Sequence, residues 1–236
     1  MKKNILFLSP LVLLLAFISA CEASVSLAST RLVYHESDDG ISLNLSNGET
    51  LPYLVQSWLA LTPDNQKTAP QVNKAVPFIV TPPLFKMNGK DKNVLNILKT
   101  STSLPEDRES VYYLNVKAIP GRAEKTRSNL SIAIKSTLKL FYRPNSLTDE
   151  QEEAAWGQLT FMQNNGQLIV KNPSPFFITF YSLNADDKNI NLASNAMLSP
   201  FATQRYLLPA GRIRSVRWKV IGDFAQVSDE KSRMLP

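Results

Sequence analysis

Cysteine and histidine are almost missing from this chain: its 236 residues include one of each, Cys21 and His35. One cysteine permits no intramolecular disulfide, so stability has to come from a packed core. One histidine permits neither a Ser-His-Asp triad with a spare base nor a multi-histidine metal centre. The eight glycines are scattered among turns, with no Gly-rich loop to cradle a phosphate. Asp149, Glu150, Glu152 and Glu153 are the nearest approach to a carboxylate pair for glycoside chemistry, and they read as a solvated linker. His35, close to a strand end, reads as a solvated surface residue. These absences rank a binding or structural protein above an enzyme, with no metal and no cofactor expected.

Long apolar runs are missing too, apart from one near the start. Ile5 to Ile18 is interrupted only by Ser9 and Pro10 and is short for a membrane span of about 20 residues. It follows the basic Met1-Lys2-Lys3 and precedes Cys21-Glu22-Ala23, which together predict a signal peptide over 1–23, cleaved after Ala23. A rival reading takes Ile18-Ser19-Ala20-Cys21 as a lipobox and leaves Cys21 as a lipidated N-terminus. The whole chain carries a charge of +6, and loss of Lys2, Lys3 and Glu22 leaves +5 on the remaining 213 residues. That mild, diffuse basicity suits an acidic partner or a carboxylate ligand but does not argue for nucleic acid.

What the chain does have is strands. Val25 to His35, Ile41 to Leu45, Tyr53 to Leu61, Phe78 to Val80, Asn93 to Leu98 and Val111 to Lys117 are separated by turn-forming clusters such as Asp38-Asp39-Gly40 and Asn88-Gly89. After Asn145 to Ala155, a polar and acidic connector read as holding one helical turn, a second series runs through Leu159 to Met162, Leu168 to Lys171, Phe176 to Leu183, Tyr206 to Leu208 and Ile213 to Val220. Asn164-Asn165-Gly166 marks a hairpin between its first two members. The expected organisation is all-β: a domain over 24–144, a linker over 145–156 and a smaller sandwich over 157–236. Val227 to Pro236 carries no informative pattern, and the last residues are expected to be mobile.

The longest strand signal is Asn129 to Pro144. Leu130, Ile132, Ile134, Leu138, Leu140 and Tyr142 occupy even positions; Lys135, Thr137, Lys139 and Arg143 occupy odd ones. Alternation of this kind gives a strand one apolar and one largely polar face. On pattern alone such a strand lines a sandwich core. Strands usually run about 5 or 6 residues, and the length of this one opens the alternative that it extends past the edge of its own core, where its apolar face needs another partner.

Several motifs together carry a resemblance: Ser24-Val25-Ser26-Leu27, Thr30-Arg31, Leu51-Pro52-Tyr53-Leu54, Thr81-Pro82-Pro83, Asp107-Arg108-Glu109-Ser110, Leu114-Asn115 through Ile119-Pro120, Leu138 to Pro144, and Asn172-Pro173-Ser174-Pro175. In this order and spacing the chain resembles the PapD-like pilus (fimbrial) chaperones of the chaperone/usher pathway. The resemblance implies two immunoglobulin-like β-sandwich domains arranged at an angle, boomerang-like, in a periplasmic protein. It implies that pilus subunits are bound by strand addition and passed to an outer-membrane usher.

Residue by residue, the resemblance makes Leu130, Ile132 and Ile134 the groove-filling side chains. Arg31 and Lys139 become the anchor for the subunit's C-terminal carboxylate, and Glu109, Arg143 and Asp223 an ion network between domains. Where the family has Ile-Asn-Asp-Tyr-Gly, this chain has Ile221-Gly222-Asp223-Phe224-Ala225. The short segment Gly121 to Ser128, with no flanking cysteine pair, resembles the subclass that assembles rod-like pili. A free molecule could cap its own strand by forming a homodimer. The alternatives are a tethered β-sandwich lipoprotein and a secreted ligand-binding sandwich.

Overall fold

The computed structural model describes residues 25–63, 76–101, 103–121, 132–192, 195–208 and 211–235. The expected signal peptide over 1–23, the segment 122–128 and Leu130 lie outside them. Among the described residues, the first half of the chain forms nine strands: β1 (Val25–Leu27), β2 (Arg31–His35), β3 (Ile41–Asn47), β4 (Tyr53–Ala60), β5 (Phe78–Thr81), β6 (Leu84–Met87), β7 (Lys92–Lys99), β8 (Ser110–Pro120) and β9 (Ile134–Arg143). They make a four-stranded sheet in the order β1-β3-β7-β5 and a five-stranded sheet in the order β2-β9-β8-β4-β6. Alternate residues such as Leu43 and Leu45 on β3, Leu95 and Ile97 on β7, and Leu138 and Leu140 on β9 point into one shared core, as the period of two requires. Phe78 stands edge-on to both Tyr34 and Tyr112, each with ring centroids 5.1 Å apart.

Helix α1 (Asp149–Ala155) follows, then β10 (Thr160–Asn164), β11 (Gln167–Lys171), β12 (Ile178–Ala185), β13 (Lys188–Asn189), β14 (Met197–Leu198), β15 (Thr203–Leu207), β16 (Ser215–Val220) and β17 (Lys231–Met234). One sheet runs β10-β11-β15, and the other runs β13-β12-β16-β17 with β14 also paired to β12. Their core contains Trp218, whose ring lies 4.7 Å from that of Phe161 and whose indole N–H donates to the Trp156 carbonyl at 3.0 Å. Ala155 and Trp156 pack in this second core. The expected hairpin is present: Asn164 pairs with Gln167, and Asn165 and Gly166 have φ of 48° and 72°, the two positive values that a tight type I′ turn needs.

Three expectations need correction. The single strand foreseen over Val25 to His35 is two strands in different sheets, β1 against β3 and β2 against β9. Between them the Ser29 hydroxyl donates to the Arg31 carbonyl and accepts from the Arg31 N–H, so the backbone crosses over instead of continuing its ladder. The chain is tied down as far as Met234, closer to its end than expected, because β17 pairs with β16 from Ser215↔Met234 to Trp218↔Lys231. The connector contains a two-turn helix: the Thr148 side chain accepts from the Gln151 N–H while the Gln151 side chain accepts from the Thr148 N–H, a reciprocal cap. The strand β6 was not foreseen.

Candidate functional site

The site begins with the way β9 is paired. Along one edge β8 accompanies it throughout, from Ala118↔Ile134 to Ser110↔Tyr142. Along the other edge β2 pairs in parallel only from Arg31↔Lys139 to His35↔Arg143. The stretch Ile134–Leu138 therefore keeps one row of backbone donors and acceptors without a strand partner among the described residues. The apolar face behaves in the same two-part way. Leu138, Leu140 and Tyr142 are buried in the first core, whereas Ile134 is 52% exposed and Ile132, just before the strand, is 65% exposed. The observed strand begins at Ile134, later than the sequence suggested, with Leu130 outside the described residues. An apolar stripe continuing past its own core beside an open edge can accept another chain.

The opposite, odd face of β9 looks toward the second domain. Arg143, at its end, has a side chain with 0% exposure. Its Nε and Nη2 donate to Glu109 Oε1 at 3.0 and 2.8 Å, and its Nη1 donates to Asp223 at 2.8 Å and to Asp149. Glu109 is fixed in turn by the Phe177 N–H, which donates to Oε2 at 2.8 Å, and by its own N–H, which donates to the Pro175 carbonyl. Burial pushes the Glu109 carboxyl up, against the pull of Arg143 and the Phe177 N–H. Burial alone would lower the Arg143 pKa, but Glu109 and Asp223 hold it above its ordinary value. Two residues back on the same face, the Phe141 ring lies 5.7 Å from that of Phe177.

Next comes a pair of cations. The parallel register sets Arg31 directly beside Lys139, so both side chains project from one face of neighbouring strands. The Arg31 guanidinium lies 5.4 Å from the Phe141 ring centroid, and its Nη1 donates to the carbonyls of Ile221 and Gly222 at 2.7 and 3.0 Å. Its Nε and Nη2 make no hydrogen bond among the described residues, and neither does the Lys139 ammonium. Both pKa values are lowered, chiefly by burial; the charge of Arg31 lowers Lys139 further, and Asp223, Glu152 and Glu109 act on Arg31 in the opposite direction. Partly desolvated cations with no carboxylate in contact are costly by themselves, and an incoming anion relieves that cost.

The turn 221–225 is thus held from two sides by arginines of the first domain, Arg31 on its carbonyls and Arg143 on Asp223. Ala225, which stands where the family has glycine, adopts a left-handed φ of 61°. Its N–H donates to the Gly222 carbonyl at 3.0 Å and closes the turn despite the departure in sequence.

Sequence reasoning missed the role of α1. Asp149 and Glu152, read as part of a solvated linker, lie three apart on one helix face and turn toward the interdomain contact. Asp149 joins Arg143 and lies 3.0 Å from His35 Nε2, so His35 is a partly covered member of this cluster. Glu152 is 5% exposed and accepts from the Trp156 indole N–H at 2.7 Å. Burial first, and the charge of Asp223 second, push its pKa up to about 7. The Thr148-x-x-Gln151 cap ahead of Ala154-Ala155-Trp156 was the available signal.

The fold and this arrangement define a class: a two-sandwich protein with an open strand edge beside a cationic cleft. Residues 24–148 match the family model of the pili and flagellar-assembly chaperone, PapD N-terminal domain, and residues 154–232 match the pili assembly chaperone PapD, C-terminal domain. The chaperone protein LpfB of Salmonella typhimurium is 36% identical over 234 residues, covering 97% of this chain and 96% of that one. The solved complex of the Salmonella enterica SafA pilin with the SafB chaperone is similar at TM-score 0.77 and 29% identity, covering 92% of this chain and 99% of that chain. The Escherichia coli chaperone DraB is similar at TM-score 0.75 and 33% identity, over 90% and 97% of the two chains. This chain belongs to the PapD family of pilus assembly chaperones.

Proposed function

We propose that this protein is exported to the periplasm with loss of residues 1–23, captures pilus or fimbrial subunits by lending them part of β9, and delivers them to an outer-membrane usher. The observation that carries the reading is the divided pairing of β9: apolar side chains and an open backbone edge at one end, a cation pair at the other. Ile132 and Ile134, with Leu130 before them, fill the groove of an incomplete subunit while the Ile134–Leu138 edge extends its sheet. Arg31 and Lys139 hold the subunit's C-terminal carboxylate and fix the register of the added strand. Burial of each aliphatic side chain contributes up to roughly 1.5–3 kcal/mol before ordering costs. Glu109, Arg143 and Asp223 keep the two domains oriented around the site. No nucleotide is consumed, because exchange for a better-fitting strand releases the subunit. A free molecule covers its open stripe with a second copy.

The test is co-expression with the neighbouring subunit genes, followed by pull-down from periplasm. Arg31→Ala and Lys139→Ala should each fold normally and lose subunit capture. Undiminished co-purification with both variants overturns the reading.

A further inference from the structure

The cation pair has a third neighbour. Tyr113 on β8 is in register with Lys139 on β9, which is in register with Arg31 on β2. The three residues form a row across adjacent strands about 4.8 Å apart, all on the face opposite the first core. The adjoining row confirms the sidedness: Leu114 pairs with Leu138, and both point into that core.

Tyr113 is 9% exposed but belongs to neither apolar core. It lines a depression of about 440 Å³ together with Lys139, Lys135, Thr137 and Pro63. Its hydroxyl makes no hydrogen bond among the described residues. Burial raises its pKa, so at neutral pH it stays protonated and can donate. In the next row the equivalent polar groups are satisfied by one another, Thr137 Oγ1 donating to Asn115 Oδ1 at 2.8 Å.

We propose that the Tyr113 hydroxyl is a third donor to the bound carboxylate, completing with Lys139 and Arg31 a row of three donors across β8, β9 and β2. Arg31 is fixed by the Ile221 and Gly222 carbonyls, whereas the Lys139 ammonium moves on a flexible stem. A donor carried on a rigid ring at the far side of Lys139 confines the carboxylate from that side, so the row sets where the client's last residue stops. This inference rests on the carboxylate-anchor reading above.

The probe is a synthetic strand peptide of alternating valine and serine, prepared with a free C-terminal carboxylate and as the C-terminal amide, titrated into the full protein. Wild type should bind the acid more tightly than the amide. Tyr113→Phe keeps the ring, should melt like wild type, and should weaken the acid peptide about tenfold, the effect of losing one donor to a charged acceptor, with little change for the amide. Unchanged affinity for the acid, or equal weakening of both peptides, overturns the role of Tyr113 while loss of the acid preference in Arg31→Ala keeps the anchor reading. Absence of any acid preference in wild type overturns both.

Discussion

Removal of Arg143 should destabilise this protein in a way that depends on pH. The guanidinium is fully buried and Glu109 is 3% exposed at the side chain. Arg143→Ala deletes the Nε and Nη2 hydrogen bonds to Glu109 and leaves that carboxylate with the Phe177 N–H as its remaining donor. Stranding one member of a buried pair costs about 3–5 kcal/mol, equivalent to a melting point lower by roughly 6–20 °C in a chain of this size.

The pH dependence has a definite sign. Burial already pushes the Glu109 pKa up from 4.5, and without Arg143 it rises further. The penalty for the lone charge is then complete above the folded pKa and disappears as pH falls toward the unfolded value. The cost of Arg143→Ala should therefore be smaller at pH 5 than at pH 7.5, and Arg143→Ala/Glu109→Gln should recover at least half of it at pH 7.5. Urea denaturation of wild type and the three variants, Glu109→Gln included, measures all of this. A cost below about 1 kcal/mol, or one equal at both pH values, would refute the argument.

Glu152 supplies a second pH effect. An unfolded chain releases this proton near 4.5 and the folded protein near about 7, so stability should fall as pH rises through that window. Glu152→Gln should abolish the fall and stabilise the protein at pH 8 by up to about 3 kcal/mol, read from melting curves across pH 5–8. Ile134→Asp, at a position 52% exposed, should shift stability by less than about 0.5 kcal/mol while weakening subunit capture at least roughly tenfold; intact capture would remove Ile134 from the interface. Thr148→Ala breaks the reciprocal cap of α1 and should cost about 1 kcal/mol, seen as an earlier denaturation midpoint.

Legibility in the sequence followed the range of the interaction. The alternation in β3, β7 and β9 could be read directly, because side chains two apart share a face whatever lies beside the strand. The Asn165-Gly166 turn was legible because its positive φ values need residues of that kind. The crossover at Ser29 was not, since Val25–Leu27 and Arg31–His35 are both good strand sequences and only their partners, β3 and β9, separate them. The burial of Glu152 was hidden for a similar reason. A glutamate in an acidic run reads as solvated until a second domain closes over that face of the helix.

The sequence by itself determined the all-β character, two strand series with a connector, and a β9 stripe too long for one core. Its motifs also pointed, through family resemblance, to Arg31, Lys139, Glu109, Arg143 and Asp223. Tertiary structure decided that β2 covers only half of β9, that Arg31, Lys139 and Tyr113 share one register, and that Arg143 reaches Glu109 and Asp223 together. The physical reason is that periodicity belongs to a single strand, whereas register and charge pairing are properties of neighbours that the chain brings together only when it folds.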